Sequence, residues 1–128
     1  MTSLAVDTHA ALWWSFLPDK LSRKARKELD TANELVLSGI VLWEVALLVR
    51  KGRIELPVSV AEWLSGLESS ARWRIVALDA RIALDADALE MHEDPADRFI
   101  VATALRCQVP LVTKDRAIRA SKLVPIVW

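Results

Sequence analysis

Short apolar runs alternate with longer segments of helical periodicity along the whole sequence. The runs at 4–6, 35–38, 74–78, 110–113 and 124–127 have the length and composition of β-strands. The segments between them predict helices at 9–16, 21–32, 41–51, 59–69, 79–89, 95–107 and 115–120. Strands separated by helices must be joined by crossovers, which favour a parallel sheet with helices on both faces. The expected fold class is therefore α/β.

The chain is expected to form a single domain over residues 1–128. A chain of 128 residues can bury a core, and its 3 glycines and 5 prolines leave no linker. Its one cysteine, Cys107, excludes an intrachain disulfide and favours a reducing, cytoplasmic compartment. The first residues lack the pattern of a signal peptide, and the most apolar run, 35–43, is too short to cross a bilayer. We therefore expect no association with a membrane.

The charge balance gives little indication of a nucleic-acid partner. The 17 basic and 17 acidic residues cancel, whereas general nucleic-acid binders usually carry excess positive charge. Two local clusters qualify this, and they comprise Lys20, Arg23, Lys24, Arg26 and Lys27 in one segment and Lys114, Arg116, Arg119 and Lys122 in another. Taken alone, each cluster is better interpreted as a solvated helix face.

Two acids follow predicted strands directly or nearly so. Asp7 comes after the run 4–6, and Asp115 follows the run 110–113 after one lysine. Parallel α/β sheets bind ligands at the carboxyl ends of their strands, and Thr113 could present its hydroxyl at the same edge. Each Asp could equally be the N-cap of the following helix, and for Asp7 taken alone the cap is favoured.

Glu44 lies in a predicted helix with little polar surface. An ionised carboxylate in such a segment is costly unless it is solvated, paired or bound to a metal. A narrow solvent-facing stripe would also explain it, but we favour a functional role.

Asp94 and Asp97 flank the start of the predicted helix at 95–107. Asp94 precedes Pro95, a combination typical of a helix N-cap, and Asp97 suits the first turn of the same helix. Asp97 also shares a helix face with apolar residues, which points it partly inward. We therefore interpret Asp94 as a cap and Asp97 as a site residue.

Together these acids predict a site for a divalent cation. Asp7, Glu44, Asp97 and Asp115 come from four elements, and clustered carboxylates repel one another unless a cation is present. Oxygen ligands suit Mg²⁺, with Mn²⁺ as a possible substitute, while the two histidines and one cysteine disfavour zinc. Such an ion beside a phosphodiester would polarise it, and a carboxylate would orient or deprotonate the attacking water.

The sequence resembles a known family, the VapC-type PIN-domain toxins. The resemblance is carried by LAVDTH at 4–9, LWW at 12–14, LS at 21–22, LWEV at 42–45, KGR at 51–53, LP at 56–57, HEDPADR at 92–98, LVTKD at 111–115 and VW at 127–128. These motifs run in order along the whole chain, so the resemblance is more specific than any one of them. One position departs from the pattern: Val41 stands where Ser or Thr often precedes the Trp-Glu pair, with Ser38 further back.

The resemblance implies a PIN fold, a three-layer α/β/α sandwich on a central, mostly parallel sheet. It implies a metal-dependent endoribonuclease, the toxin of a toxin–antitoxin pair, acting on structured RNA such as tRNA or rRNA. By motif, Asp7, Glu44 and Asp97 correspond to the central acids and Asp115 to the fourth. Thr8, Thr113 and Asp94 correspond to supporting residues. The family also implies a homodimer and an antitoxin protein bound over the active site.

Other interpretations remain open from the residues alone. A receiver-like regulatory domain would be phosphorylated on one acid, although no acid pair follows the first strand. A non-catalytic interaction module would use the acids to recruit a basic partner. His92 could position phosphate but is better interpreted as a loop residue, and Trp13, Trp14 and Trp43 are better explained by core or interface packing than by base stacking.

Overall fold

A computed structural model describes residues 2–128 as a five-stranded sheet with helices in every connection. The strands are β1 (Ser3–Val6), β2 (Glu34–Ser38), β3 (Trp73–Val76), β4 (Leu111–Val112) and β5 (Ile126–Val127). The helices are α1 (Thr8–Phe16), α2 (Arg23–Thr31), α3 (Gly39–Arg50), α4 (Val60–Ser69), α5 (Ala80–Ala88), α6 (Pro95–Cys107) and α7 (Arg116–Ser121). A single 3-10 turn, Pro18–Lys20, follows α1. The predicted α/β class is confirmed.

All strand pairs in the sheet are parallel, in the order β3-β2-β1-β4-β5. From β1 the chain moves outward through β2 to β3, then returns to build β4 and β5 on the other side of β1. The order therefore reverses between β1 and β4. In open α/β sheets, ligands bind outside the carboxyl ends of the strands at such a reversal point.

The central strands β1, β2 and β4 are buried because helices cover both faces of the sheet. Leu35, Val36 and Leu37 of β2 are fully buried, and β4 is buried throughout. Strands buried on both faces are apolar along their whole length rather than alternating. This explains why the sequence marks them as continuous apolar runs.

Each of the seven helices begins at an Asp or Ser whose side chain accepts a backbone N–H from the first turn. These caps are Asp7, Ser22, Ser38, Ser59, Asp79, Asp94 and Asp115. Such caps satisfy N–H groups that have no partner within the helix. The last turn of α3 is basic at Arg50, and Gly52 follows the helix with a φ of 72°, a conformation that glycine adopts without strain.

The tryptophans expected to pack in the core or at an interface differ in their burial. Trp13 and Trp14 are partly buried against the core, but Trp43 on α3 is 57% exposed. Val41 and Val45 of the same helix are fully buried, so the helix turns Trp43 outward. Within residues 2–128, none of the helices combines the length and the apolar character needed to cross a bilayer.

Candidate active site

Four of the buried polar residues lie at the carboxyl edge of the sheet. Asp7 and Thr8 follow β1, Ser38 ends β2 and Thr113 follows β4. The fifth buried polar residue, Thr103, only bonds within its own helix, to the carbonyl of Phe99 at 2.7 Å. Polar groups are rarely buried without a partner or a function, so this edge is the candidate site.

Asp7 is held at the edge by hydrogen bonds to both of its carboxylate oxygens. Oδ1 accepts the backbone N–H of Ala10 at 2.9 Å, and Oδ2 accepts the hydroxyl of Thr113. The register of β1 against β4 explains the second contact, because Val6 pairs with Val112 and the next residues meet beyond the strands. The helix cap and the site role are therefore compatible, since each uses a different oxygen.

Burial raises the pKa of Asp7 from 3.8 to about 6, because the carboxyl is only 8% exposed and its charge is poorly solvated. The hydrogen bonds from Thr113 and Ala10 and the positive charge of His9 act in the opposite direction, and the charge of Asp97 adds to the rise. The charge of Asp97 thus reaches Asp7 across the sheet edge, although burial is the largest cause of the shift.

Asp97 projects from the first turn of α6 beside His92. Nε2 of His92 donates to Oδ2 of Asp97 at 2.6 Å, and the backbone N–H of Asp97 donates to the capping oxygen of Asp94 at 3.1 Å. Burial raises the pKa of Asp97, and the negative charges of Asp94 and Asp115 raise it further, while His92 opposes the rise. Asp94 thus has the capping geometry expected of it and also contributes charge to the site.

His92, Asp97 and Asp115 form a group whose ligand atoms all lie within 4.8 Å of one another. Asp115 reaches this place because Thr113 Oγ1 accepts its backbone N–H at 3.0 Å, while its own Oδ1 caps α7 at 2.8 Å. Among residues 2–128, Asp7 and Glu44 lie outside this tight group. Asp7 remains coupled to it through the charge of Asp97.

Glu44 is joined to the edge through Thr8, whose hydroxyl donates to its carboxylate. Glu44 is partly buried on α3, and Thr8 is the first residue of α1, directly after Asp7. The contact links two helices that follow different strands. Val41, which stands where the family pattern often has a hydroxyl, is buried in the core. Thr8 supplies the hydroxyl contact in this region.

His92 is the site residue that the sequence interpretation underrated. It lies in the segment between α5 and α6, and Arg98 fixes that segment. The Arg98 guanidinium donates to the carbonyls of Ala86, Leu89 and Met91 at distances from 2.9 to 3.2 Å. The only sign in the sequence of a contact between His92 and Asp97 is that His92 lies five residues earlier. The two side chains meet because the loop between α5 and α6 folds back toward the first turn of α6.

These residues fit a divalent cation. A carboxyl buried as deeply as Asp7 has a raised pKa because nothing on the chain fully compensates its charge, and a bound cation would do so. The groups that would hold it are carboxylate oxygens, which suit Mg²⁺ or Mn²⁺ better than zinc, while Nε2 of His92 is already bonded to Asp97.

Comparisons with known proteins agree with this geometry. Residues 4–122 match the sequence model of the PIN domain. The chain is 39% identical over 124 residues to Ribonuclease VapC22 of Mycobacterium tuberculosis, covering 95% of this chain and 94% of that protein. The solved structure of VapC20 of the same organism, a sarcin-ricin loop cleaving toxin, superposes with a TM-score of 0.73 at 17% identity, covering 98% and 99% of the two chains.

A second solved structure, VapBC2 from Rickettsia felis bound to a fragment of promoter DNA, gives a TM-score of 0.70 at 16% identity. The match covers 98% of this chain and 97% of that chain. At these identities the structural matches establish the shared fold.

Proposed function

This chain belongs to the PIN-domain family, among the VapC-type ribonucleases, and from that premise we propose that it is a divalent-metal-dependent endoribonuclease that cuts structured RNA. The observation that supports this most strongly is the meeting of buried Asp7 with Thr113 and Asp115 at the reversal point of the sheet, where Asp115 also groups with Asp97. A buried carboxylate with a raised pKa, facing further acids, is typical of a catalytic site.

In the proposed reaction, Asp7, Glu44, Asp97 and Asp115 would hold the cation or its waters. When bound, Mg²⁺ neutralises these carboxylates and polarises the phosphoryl group of the substrate. Thr113 fixes one oxygen of Asp7 and the backbone of Asp115, so a single hydroxyl sets the positions of two acids. His92 holds Asp97, and Thr8 holds Glu44. A carboxylate of the site would orient the attacking water and accept its proton as the water oxygen bonds to phosphorus. The P–O bond to the leaving ribose oxygen breaks in the same step, and that oxygen takes a proton from solvent.

We further propose that the substrate is tRNA or rRNA and that the chain is the toxin of a cytoplasmic toxin–antitoxin pair. The support is the relationship to a named ribonuclease and the fold shared with a toxin that cleaves the sarcin-ricin loop. An antitoxin protein would inhibit the chain by covering the acids. A homodimer is also proposed, since Leu84 is 72% exposed on α5 and Leu105 is 38% exposed on α6. Light scattering after size exclusion measures this assembly.

The receiver-like alternative has little support from the topology. Receiver domains have the strand order 2-1-3-4-5, whereas this sheet has the order β3-β2-β1-β4-β5. The non-catalytic interaction module is distinguished by the experiment that follows.

Cleavage of a defined pool of tRNA and rRNA tests the proposed function. The wild type is assayed with Mg²⁺, with Mn²⁺ and with EDTA, beside Asp97→Asn and the control Asp85→Asn, whose carboxylate is exposed on α5. We expect discrete cuts that disappear with EDTA and with Asp97→Asn but persist in the control. Absence of cleavage by a folded wild type in both metals would favour the interaction module.

A further inference from the structure

Trp13 lies where the two basic segments of the sequence meet. Nζ of Lys20 lies 6.0 Å from the centroid of the Trp13 ring, and Nζ of Lys114 lies 5.8 Å from it. Lys20 belongs to the first basic segment and Lys114 to the second, 94 positions apart in the sequence. Both lysines are exposed, so their charges are available to a ligand that approaches the indole. Interpreting each cluster separately as a solvated face therefore missed their convergence.

The indole is held in place by other rings. His9 packs at 5.7 Å and Trp128 at 6.1 Å between ring centroids, both tilted relative to Trp13. An aromatic ring whose orientation is fixed loses little entropy when a second ring stacks on it. Trp13 is also only partly buried.

A groove of about 340 Å³ opens beside this ring. Its apolar walls include Trp13 and Leu17, and its polar groups come from His9, Lys20, Arg53 and Glu55. We call it the Trp13 groove. This volume lies within the range of sites that bind small ligands, and it suits a single nucleotide in size.

The Trp13 groove adjoins the acidic edge. His9, which lines it, is close enough to Asp7 for its charge to lower the pKa of that carboxyl. Lys114, over the ring, directly precedes Asp115. A strand of RNA whose phosphodiester lies at the acids would therefore have a neighbouring nucleotide within reach of the groove.

We propose that the Trp13 groove binds an unpaired nucleobase of the RNA substrate, with Lys20 and Lys114 contacting the flanking phosphates. The proposal rests on the proposed function and specifies which part of the substrate is held. The base stacks on Trp13, because every nucleobase has a face that can pair with an indole. The lysines neutralise phosphates, and Glu55 accepts hydrogen bonds from exocyclic amino groups. A ligand that carried only acidic groups could bind Lys20 and Lys114 but would make no use of the apolar Trp13 ring beside them.

Binding of a fluorescein-labelled single-stranded RNA, measured by anisotropy in EDTA, tests this without cleavage. We expect Trp13→Leu to weaken affinity about 5- to 150-fold, the loss of one stacked base. Trp13→Phe should retain most of the affinity. Trp43→Leu is the matched control, since Trp43 is exposed on α3 outside the Trp13 groove, and it should bind as the wild type does.

A second variant removes charge at exposed positions and does not depend on the packing of Trp13. For Lys20→Ala with Lys114→Ala, the slope of log affinity against log salt should become shallower by about 1.4, corresponding to two phosphate contacts on a single strand. Wild-type affinity in Trp13→Leu, or an unchanged salt slope in the double lysine variant, would overturn the proposal. The proposal would also be overturned if Trp13→Leu lost antitoxin binding while its affinity for RNA stayed intact.

The failure of this proposal is separable from failure of the proposed function. If the wild type cleaves RNA but Trp13→Leu keeps the same KM and affinity, only the Trp13 groove is excluded. If the wild type neither binds nor cleaves RNA, the proposed function itself fails. If Trp13→Leu raises KM more than it lowers kcat, the groove contributes to substrate binding as proposed.

Discussion

Nε2 of His92 lies 2.6 Å from Oδ2 of Asp97, and both side chains are less than one-third exposed. The contact joins a loop to the first turn of α6 and turns the Asp97 carboxylate toward Asp115. A histidine in this position does for a carboxylate ligand what outer partners commonly do in metal sites: it fixes the orientation of the ligand.

Replacing His92 is expected to impair cleavage without removing a carboxylate. For His92→Gln we expect kcat/KM to fall about 10- to 100-fold, the usual cost of losing a residue that orients a metal ligand. The Mg²⁺ concentration for half-maximal activity should rise as well. Glu93→Gln is the control, because Glu93 is 95% exposed next to His92. Wild-type kinetics and metal dependence in His92→Gln would contradict the role assigned to this contact.

The stability of the metal-free protein should fall with rising pH because of Asp7. Its pKa is about 6 in the folded protein and 3.8 when unfolded, so the protonated carboxyl favours folding. This contribution is complete below about pH 4 and is lost as the pH rises through 6, a change of roughly 3 kcal/mol in the free energy of unfolding. Urea denaturation in EDTA from pH 4 to pH 7.5 measures it.

Asp7→Asn removes this pH dependence because the amide carries no charge. We expect the metal-free variant to be more stable than the wild type at pH 7.5, with the difference shrinking toward pH 4. Mg²⁺ should stabilise the wild type but not the variant. Asp19→Asn, at a side chain that is 99% exposed, should leave the profile unchanged. A constant difference across the pH range would show that burial of Asp7 is compensated in the folded protein.

Thr8 and Glu44 should act as one unit in catalysis, because a single hydrogen bond joins them. We expect Glu44→Gln to lower kcat by about 10-fold or more, and Thr8→Val to add little in that background. The four rate constants of the double-mutant cycle measure the coupling. Effects that multiply independently would show that Thr8 acts on something other than Glu44.

Arg98 should be required for both stability and the site. Its guanidinium is largely buried and bonds carbonyls around the end of α5, so Arg98→Met leaves those acceptors without a donor. We expect a loss of about 2–4 kcal/mol in the free energy of unfolding. Arg98→Lys should recover only part of it, because an ammonium lacks the planar fork.

The matched control is Arg106→Met, on the same helix but 38% exposed, which should lose less than about 1 kcal/mol. At a temperature where Arg98→Lys remains folded, its kcat should still be reduced, because His92 is carried by the loop that Arg98 anchors. Full activity in folded Arg98→Lys would show that the position of the loop between α5 and α6 does not affect catalysis.

The order and type of the elements could be predicted because most strands contain a short continuous apolar run and each described helix has an Asp or Ser cap. Asp7 and Asp115 could be assigned to the sheet edge by the same logic. The choice between a cap and a site residue had no answer in the sequence, since Oδ1 of Asp7 caps α1 while Oδ2 accepts the Thr113 hydroxyl at the sheet edge. The local sequence pattern predicts that Asp7 begins a helix, but it does not predict what the second carboxylate oxygen of Asp7 contacts.

The contacts of His92 and Trp13 could not be predicted from the sequence. The importance of His92 depends on a loop path fixed by Arg98, which no local pattern encodes. The neighbours of Trp13 come from positions 20, 114 and 128, brought together only by the completed sheet. The exposure of Trp43 likewise follows from which side of α3 meets the core.

The hydrogen bond from Thr113 to Asp7 spans 106 positions of the chain. During synthesis, β1, β2 and β3 can pair as soon as they emerge, but the acidic edge stays incomplete until β4 has been translated and inserted beside β1. A nascent chain that lacks β4 therefore also lacks the Thr113 hydroxyl and Asp115, two parts of the edge on which the proposed activity depends. The order of strands ties completion of the proposed site to the last part of translation.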